Sequence, residues 1–431
     1  MNLRTLRILL VAAVVALIAA FWVSRNNAPE SEGRAQTNAV LLPQLRDEAN
    51  DISTITISCA GKAWVTLKRV NDGWVVAERA GYPADTAKLR EFVLKLADAS
   101  VLETKTANAA RYAELGVEDP AAADAKSVLV TLSGMKTPLS LIVGAFNGGG
   151  GGGTFVRRTG ETQSLLAKGN LLAEKDPAAW IRRDLAHVDA ERIKQISITA
   201  PDGKTLRVAK ETTSDTNFRI ADVPKGREAA SDYVANGLGT GMSHLRIDDV
   251  AAAKDLPPQK PFKVHYLAFG GLAIDAVAWD AGGRNAVQFV ASNDAAQLDA
   301  DIAAGQAKAK AAYDTEVAAA KLKALDAKGD DAAIAKAEAD VAKPPSLVDP
   351  LQDAEQRRRA AAKVVEDLNR TFAGWTFIVP AYEFANYNKS IEELLKPLPD
   401  KSGAAPALKL PLPDAAAAIP VAPAAKPARE R

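Results

Sequence analysis

The sequence has very little of the chemistry from which metal centres and disulfides are built. Cys59 is the one cysteine in 431 residues, so an intrachain disulfide is excluded. The histidines His187, His244 and His265 are far apart in sequence and give little material for a zinc or iron site. Carboxylates alone could bind Ca²⁺ or Mg²⁺, but no D-x-D-x-D-G loop is present. We therefore expect no metal and no cofactor.

Net charge and aromatic content are also low, and both argue against nucleic acid as a partner. The 54 basic and 53 acidic residues leave a formal net charge of +1, so no overall field attracts a phosphate backbone. Aromatic residues make up 6% of the chain, too few for a platform on which single-stranded bases stack.

Catalytic motifs are missing as well. The chain has no G-x-S-x-G elbow, H-E-x-x-H, C-x-x-C or dinucleotide fingerprint. We expect His187 to be structural or at the surface, and His265 to be a half-buried strand residue. The pairs Asp248-Asp249 and Asp330-Asp331 are typical of turns or caps, because adjacent carboxylates need not face each other across a substrate. We expect no catalytic residue, and an enzyme with a dispersed site is the least favoured of our three hypotheses.

The longest apolar run lies at the N-terminus. Residues 8–23 are apolar and follow Arg4 and Arg7; as a helix they would span roughly 24 Å. Flanking apolar residues and an interfacial Trp22 extend this toward a bilayer core, and the positive flank keeps the N-terminus in the cytoplasm. We predict a signal-anchor transmembrane helix over 1–25.

A cleaved signal peptide is the alternative, although Phe21 and Trp22 directly after Ala19 and Ala20 make a poor cleavage site. With a retained anchor, the protein is single-pass in a bacterial inner membrane, with its bulk in the periplasm.

A polar linker is predicted over 26–49, and a first α+β unit over 50–189. Period-two apolar residues around two turns predict a three-strand meander. Asp85 is placed to cap a helix whose apolar stripe has helical spacing and consists of Leu89, Phe92, Val93 and Leu96. A further strand and a hairpin complete the unit.

The same order of elements returns over 190–397 and predicts a second unit that arose by duplication. Phe218 takes the place of Trp74, and Gly282-Gly283 fall on Gly148-Gly149. The run of six glycines, Gly148 to Gly153, therefore predicts a long hairpin tip. A phosphate loop would need a Lys after the glycines and then a helix, whereas "TFVRR" follows here; anion binding is the alternative.

The second unit is interrupted by residues 297–370, which are rich in Ala, Lys, Asp and Glu. This composition predicts a helical hairpin or short coiled coil with a thin apolar seam, which either contacts a partner or packs on itself. Residues 398–431 are rich in Pro and Ala and predict disorder. The fold class predicted is α+β: tandem duplicated, mostly antiparallel sheet-plus-helix units, with an α-helical hairpin insertion and one N-terminal transmembrane helix.

An aromatic group near the end of the second unit consists of Trp375, Phe377, Tyr382, Phe384 and Tyr387. Period two in "WTFIVP" favours core packing, whereas the density of rings favours a surface that faces a ligand or partner.

Several segments resemble one protein family: "DGWVV", "YPADTAKLREFVLKL", "YAELGVEDP", "LSLIVG", "TFVRR" and "WTFIVPAYEFANYNKSIEELLKP". The chain is similar over about 50–397, apart from the insertion, to the domain-of-unknown-function family 4340. The residues that carry the resemblance are expected to be structural, and they are Trp74, Pro83, Asp85, Leu115, Gly116, Pro120 and Gly144.

The resemblance implies a membrane-anchored envelope protein, similar in setting to auxiliary components of gliding-motility-type ABC transport systems, with no catalytic residues. Our leading hypothesis is an accessory or binding protein, with the inner membrane (through residues 8–23) and an ABC transporter permease or ATPase as partners. The second hypothesis is a periplasmic module that binds glycan or peptidoglycan. The long insertion and the six glycines depart from the usual pattern of the family.

Overall fold

Two large antiparallel sheets, one of nine strands and one of eight, form the framework of the protein. We describe the chain from a computed structural model that places residues 39–149, 152–326 and 330–397. The predicted class, mixed α and β with large antiparallel sheets and several helices, is confirmed.

Three predictions lie mainly outside the described residues: the anchor over 1–25, most of the linker, and the disordered tail over 398–431. Within the described ranges, no helix has the length and apolar character that crossing a membrane requires.

The first unit contains the nine-stranded sheet and the helices that pack on it. Its elements are α1 (Pro43–Glu48), β1 (Thr54–Cys59), β2 (Lys62–Val70), β3 (Gly73–Val76), β4 (Tyr82–Pro83), α2 (Thr86–Asp98), β5 (Val101–Thr104), α3 (Tyr112–Leu115), β6 (Val128–Ser133), β7 (Leu139–Asn147), β8 (Gly153–Arg158) and β9 (Ser164–Lys168). The strand order is β4-β3-β2-β1-β6-β7-β8-β9-β5. The chain therefore runs through the predicted meander, crosses the sheet by α2, and returns to its far edge.

Helix α2 begins and packs as its sequence predicts. The Asp85 side chain accepts a hydrogen bond from the Lys88 backbone N–H (2.9 Å), which satisfies a donor that the first turn leaves unpaired. Leu89, Phe92 and Leu96 of the apolar stripe are buried. The stripe therefore fixes α2 on the sheet.

Residues 39–49 belong to the first unit and not to the linker predicted over 26–49. Leu41 and Leu45 are fully buried, and the Leu41 N–H donates to Ala99 O (2.8 Å). The Val101 N–H donates to Ala39 O (2.8 Å), so this segment also covers the outer edge of β5. Three leucines in "VLLPQL" are too few to show a periodicity, which is why the linker prediction was wrong for this part.

The second unit contains the eight-stranded sheet, two small two-stranded sheets and most of the helices. Its elements are β10 (Asp184–Ala186), β11 (Ile193–Thr199), β12 (Thr205–Ala209), β13 (Arg219–Ile220), β14 (Arg227–Ala229), α4 (Asn236–Gly239), β15 (Leu245–Arg246), β16 (Asp249–Ala252), β17 (Phe262–Ala268), β18 (Leu272–Asp280), β19 (Asn285–Asn293), α5 (Ala295–Asp326), α6 (Asp331–Ala339), α7 (Pro345–Val348), α8 (Pro350–Phe372), β20 (Trp375–Ile378), α9 (Ala381–Phe384) and β21 (Leu395–Pro397).

Its large sheet has the order β13-β12-β11-β17-β18-β19-β20-β16. When strands are matched in chain order, this is the order β3-β2-β1-β6-β7-β8-β9-β5 of the first sheet. The small sheets pair β10 with β15 and β14 with β21. The second sheet thus has no counterpart of β4 beside β13. Strand β10 pairs within the second unit, although it lies before the boundary predicted at residue 190.

The correspondence of the two sheets extends to single side chains. Arg69 lies opposite Trp74 in the β2–β3 pair, with its guanidinium 5.3 Å from the ring centroid. Lys210 holds its ammonium 4.5 Å from the ring centroid of Phe218, at the same place in the β12–β13 pair. Each unit therefore has a cation over an aromatic ring at the start of its third strand.

The crossover helix differs most between the units, because glycines replace its apolar stripe. Helix α4 is only four residues long, whereas α2 has thirteen. A Cβ added at Gly239 would lie 2.8 Å from the Phe218 ring, and one at Gly241 would lie 2.6 Å from the Tyr266 hydroxyl oxygen. Close packing under this segment therefore requires residues that weaken a helix.

The insertion predicted over 297–370 corresponds to helices α5 to α8, which lie between β19 and β20. At its base α5 buries Leu298 and Ile302 against Ala354 of α8. The Asn369 side chain of α8 pairs with both backbone groups of Ala291 in β19, at 2.8 Å each. The helices are therefore attached to the sheet at their base and along the end of β19.

The six-glycine run joins β7 to β8, which pair antiparallel with Asn147 opposite Gly153. Asn147 Oδ1 accepts from the Gly149 N–H at 3.1 Å, and Gly152 has a φ of +73°. Residues 150–151 lie outside the described residues. The described residues on either side of this gap are thus the two ends of a β-hairpin, as the sequence predicts.

Gly144 lies where the backbone of the α3 turn touches strand β7. A Cβ at Gly144 would lie 2.7 Å from Val117 Cγ1 and 2.8 Å from Gly116 O. Gly116 itself ends α3 in the left-handed conformation, with a φ of +67°. The two glycines therefore allow two segments of backbone to approach each other.

We predict that Gly144→Ala lowers the free energy of unfolding by about 1–3 kcal/mol, because its methyl group overlaps a backbone carbonyl that cannot move. Gly148→Ala is the matched control; its Cβ meets only Phe146 Cε1 at an ordinary 3.8 Å, and the change should stay within about 0.5 kcal/mol. Urea unfolding followed by tryptophan fluorescence measures both. Equal effects would contradict the close-approach explanation.

Candidate functional site

The family-motif residues make contacts within the fold. Asp85, Gly116 and Gly144 cap helices or allow close approach, as described above. Trp74 O accepts from the Ala84 N–H (2.7 Å), and Pro120 O accepts from the Gly61 N–H (3.0 Å). The other two, Pro83 and Leu115, lie in β4 and at the end of α3.

The aromatic group near the C-terminus is mostly core. Phe377 and Tyr387 are fully buried, and Phe384 is 8% exposed. Trp375 is partly buried and packs edge-on against Tyr82 of the first unit, with ring centroids 5.0 Å apart. Tyr382 has the one largely exposed ring of the five, at 67%. The predicted partner surface is thus reduced to Tyr382, and the glycan-binding hypothesis loses the aromatic surface that motivated it.

The two units are joined by a charged contact beside these rings. The Arg79 guanidinium makes two hydrogen bonds to the Asp249 carboxylate, at 2.5 and 3.0 Å, and both side chains are mostly buried. Arg79 also lies 3.7 Å from Asp176. Because Asp249 begins β16, this bidentate pair positions the edge of the second sheet against the first unit.

A buried acidic group lies under the aromatic segment. Glu383 is 7% exposed, and burial raises the pKa of its carboxyl, an effect that a hydrogen bond with the Asn386 side chain opposes. Burial also raises the pKa of the Tyr266 and Tyr387 hydroxyls, and the nearby Glu383 charge adds to both shifts. Tyr387 donates to Gly241 O (2.8 Å), whereas the Tyr266 hydroxyl has no partner among the described residues.

The histidines form one exposed pair and one isolated, half-buried site. His187 and His244 stack with ring centroids 4.1 Å apart, and His187 Nδ1 accepts from the His244 backbone N–H (3.2 Å). His265 contacts Asp275 (2.7 Å) across the β17–β18 pair. Among the described residues, no group of three His, Cys, Asp or Glu side chains is arranged to hold a metal ion.

The insertion forms a helical arm, which we define as residues 306–326 of α5 together with α6. Helix α6 buries no side chain, and the buried residues of α5 are confined to its base. Leu322 and Leu325, near the tip, are 62% and 54% exposed. Lys321 of α5 pairs with Glu338 of α6 (2.8 Å) and holds the two helices together. The arm thus presents apolar side chains that nothing in the described chain covers.

A groove borders the outer edge of β13, and we call it the edge groove. It has a volume of about 550 Å³, and residues 214–220, 229 and 231–232 line it together with Val223 and Val234. A second groove, of about 530 Å³, runs beside α2, and a cleft of about 310 Å³ lies where α5 and α8 meet the second sheet. We did not predict the edge groove from the sequence. The signal that could have indicated it is the lack, after Phe218, of a segment like "GYPA", which forms β4 in the first unit.

The described chain is thus an α+β protein of two antiparallel sheet units. Residues 74–263 match the family model described as "Domain of unknown function (DUF4340)". This match supports the resemblance drawn from the sequence, over a segment that begins in β3 and ends in β17 and excludes the insertion helices. No curated protein matches the chain, and no solved structure does.

Glu383 gives a test of the buried acidic group. A carboxyl whose folded pKa is raised favours folding below its unfolded pKa, and that contribution is lost as pH rises through the folded pKa. Glu383→Gln should therefore gain stability relative to the parent as pH rises from 4 to 8. Urea unfolding at both pH values measures this, with the exposed Glu392→Gln as the control for loss of one carboxylate. A relative gain that shrinks with pH would contradict the shift.

Proposed function

We propose that this chain is a non-catalytic accessory protein of the bacterial envelope. A helix over residues 8–23 anchors it in the inner membrane, and the two sheet units lie in the periplasm. The protein binds a membrane partner, a permease or ATPase subunit of an ABC-type transport or motility system. The positive N-terminal flank, the apolar run and the family resemblance support this setting.

The observation that carries the proposal is the helical arm. In the first unit, β8 and β9 are joined by only the five residues 159–163. In the second unit, the corresponding strands β19 and β20 are joined by everything between Asn293 and Trp375. The framework therefore closes without these helices, and the outer part of the arm adds no buried residue to the core.

The tip of the arm has the chemistry of a helix-docking surface. Leu322 and Leu325 lie one turn apart on α5, with charged residues around them. Exposed large apolar side chains on a polar helix are typical of contact with another protein. The bidentate Arg79–Asp249 contact and the edge packing of Tyr82 on Trp375 join the units beneath, so the arm projects from a continuous body.

The shared strand order and the repeated cation–aromatic pair support the predicted duplication of the two units. Under this proposal the first unit keeps the ancestral form, and the second unit has gained the arm as a recognition element.

Affinity purification of the full chain from detergent-solubilised membranes tests the proposal. We expect a permease or ATPase subunit to be recovered, and Leu322→Asp with Leu325→Asp to lower its recovery at least about tenfold, because two central apolar contacts are lost. Ala312→Asp with Ala319→Asp adds the same charge at exposed positions of the same helix and should keep most of the recovery.

Recovery of no transporter subunit with the parent chain would contradict the proposed function. Equal recovery with both double variants would show that the arm tip is not the contact.

A further inference from the structure

Strand β13 is the end strand of its sheet: it pairs with β12 on one side and with no strand among the described residues on the other. The Ala221 N–H donates to Arg207 O (2.8 Å), so Arg219 and Ala221 direct their backbone groups toward β12. Because these directions alternate along a strand, Phe218 and Ile220 direct theirs away from the sheet. The Phe218 N–H is satisfied by Asn236 Oδ1 (3.0 Å), while β13 ends the sheet beside Ile220. Among the described residues the Ile220 N–H and C=O therefore have no backbone partner on this side.

The first unit shows what closes this edge. There Trp74 and Val76 occupy the positions of Phe218 and Ile220. Trp74 O accepts from the Ala84 N–H (2.7 Å), and Val76 O accepts from the Gly81 N–H (3.1 Å). Strand β4 therefore pairs with β3 and ends the sheet.

Pro83 helps to end the first sheet at β4. In β4, Tyr82 lies opposite Val76 and Pro83 opposite Val75, and the Ala84 N–H that follows faces β3. Because backbone directions alternate, Pro83 stands where an N–H would otherwise point outward. The apolar–Pro–apolar strand thus pairs on its inner side with β3. On its outer side, where Pro83 offers no N–H, it makes only a short bridge to residues 180–182, in which Pro83 O accepts from the Arg182 N–H (2.9 Å).

One segment of the chain outside the described residues repeats this pattern. Residues 407–413 read "ALKLPLP", with Leu408, Leu410 and Leu412 in period two. In an extended strand these leucines share one face, and their N–H groups share one direction. Pro411 and Pro413 have the opposite parity, so only the outer edge loses N–H donors.

We propose that residues 407–413 add a strand to the outer edge of β13 and lie in the edge groove. The groove offers apolar contacts through Phe218, Ile220 and Val234, and acidic groups through Asp215 and Asp232 that complement Lys409. This inference does not depend on the proposed function.

The position of the described C-terminus makes this docking reachable. Pro397 lies opposite Arg227 in the β14–β21 pair, and Ala229 at the other end of β14 lines the edge groove. The nine residues 398–406 span up to about 30 Å when extended, which exceeds the length of the three-residue strand β14.

Hydrogen exchange with single-residue resolution, on the full chain in detergent, tests the proposal through the Ile220 amide. Docking protects this amide, so we expect Leu410→Asp with Leu412→Asp to speed its exchange at least about tenfold. The Ala221 amide is an internal control, because Arg207 O holds it in either case. Ala416→Asp with Ala418→Asp places the same charges further along the tail and should leave Ile220 protected.

Proline substitutions test the direction of the strand. Leu410→Pro removes an inward N–H and should speed Ile220 exchange more than Leu410→Ala, which removes only the side chain. Lys409→Pro removes an N–H that would point away from β13, so the Ile220 amide should stay protected. These substitutions lie outside the described residues.

Three results would overturn the proposal. One is an Ile220 amide that exchanges equally fast in the parent and in the leucine double variant. Another is equal exchange for Leu410→Pro and Lys409→Pro. The third is protection that depends on protein concentration and survives the leucine substitutions, which would assign the edge to a second copy of the chain.

Discussion

Backbone groups at the ends of the two sheets are the constraint on which the rest of this structure depends. Each antiparallel sheet satisfies its inner strands but leaves an unpaired row of N–H and C=O groups at both edges. The first sheet closes one edge with β4 and covers the other with residues 39–40, which bond to Val101 and bridge to Ser100. A segment just beyond the predicted membrane anchor is thereby drawn into the core.

The second sheet meets the same constraint with different elements. Asn369 of α8 pairs with Ala291 at the part of β19 that the short strand β20 does not reach. Edge strand β16 lies at the junction, where Asp249 binds Arg79 of the first unit. The base of the insertion therefore satisfies backbone groups of β19 that β20 leaves unpaired, while its tip projects as the helical arm. Only β13 lacks such a cover among the described residues.

The contacts at the junction explain why the two units share one hydrophobic core. Tyr82 of the first unit contacts the rings of Trp375 and Phe377, at 5.0 and 6.3 Å between centroids. One hydrophobic cluster contains buried residues of both sheets. Aromatic residues that are dense in sequence near the C-terminus are thus used to fill this shared core, and their number alone does not indicate a binding surface.

Local patterns determined what the sequence by itself could predict. Apolar residues of period two predicted the strands, and Asp85 predicted the start of α2. The sequence also aligned Phe218 with Trp74, and in the structure each of these rings lies under a cation. Each of these features depends on residues that are close in sequence, or on the spacing of matching residues in the two units. Both can be read from the order of residues along the chain. Tertiary structure alone decided the burial of Leu41 and Leu45, the Arg79–Asp249 contact and the open edge of β13. These features join residues far apart in the chain, and no local periodicity reports which distant surface a side chain will meet.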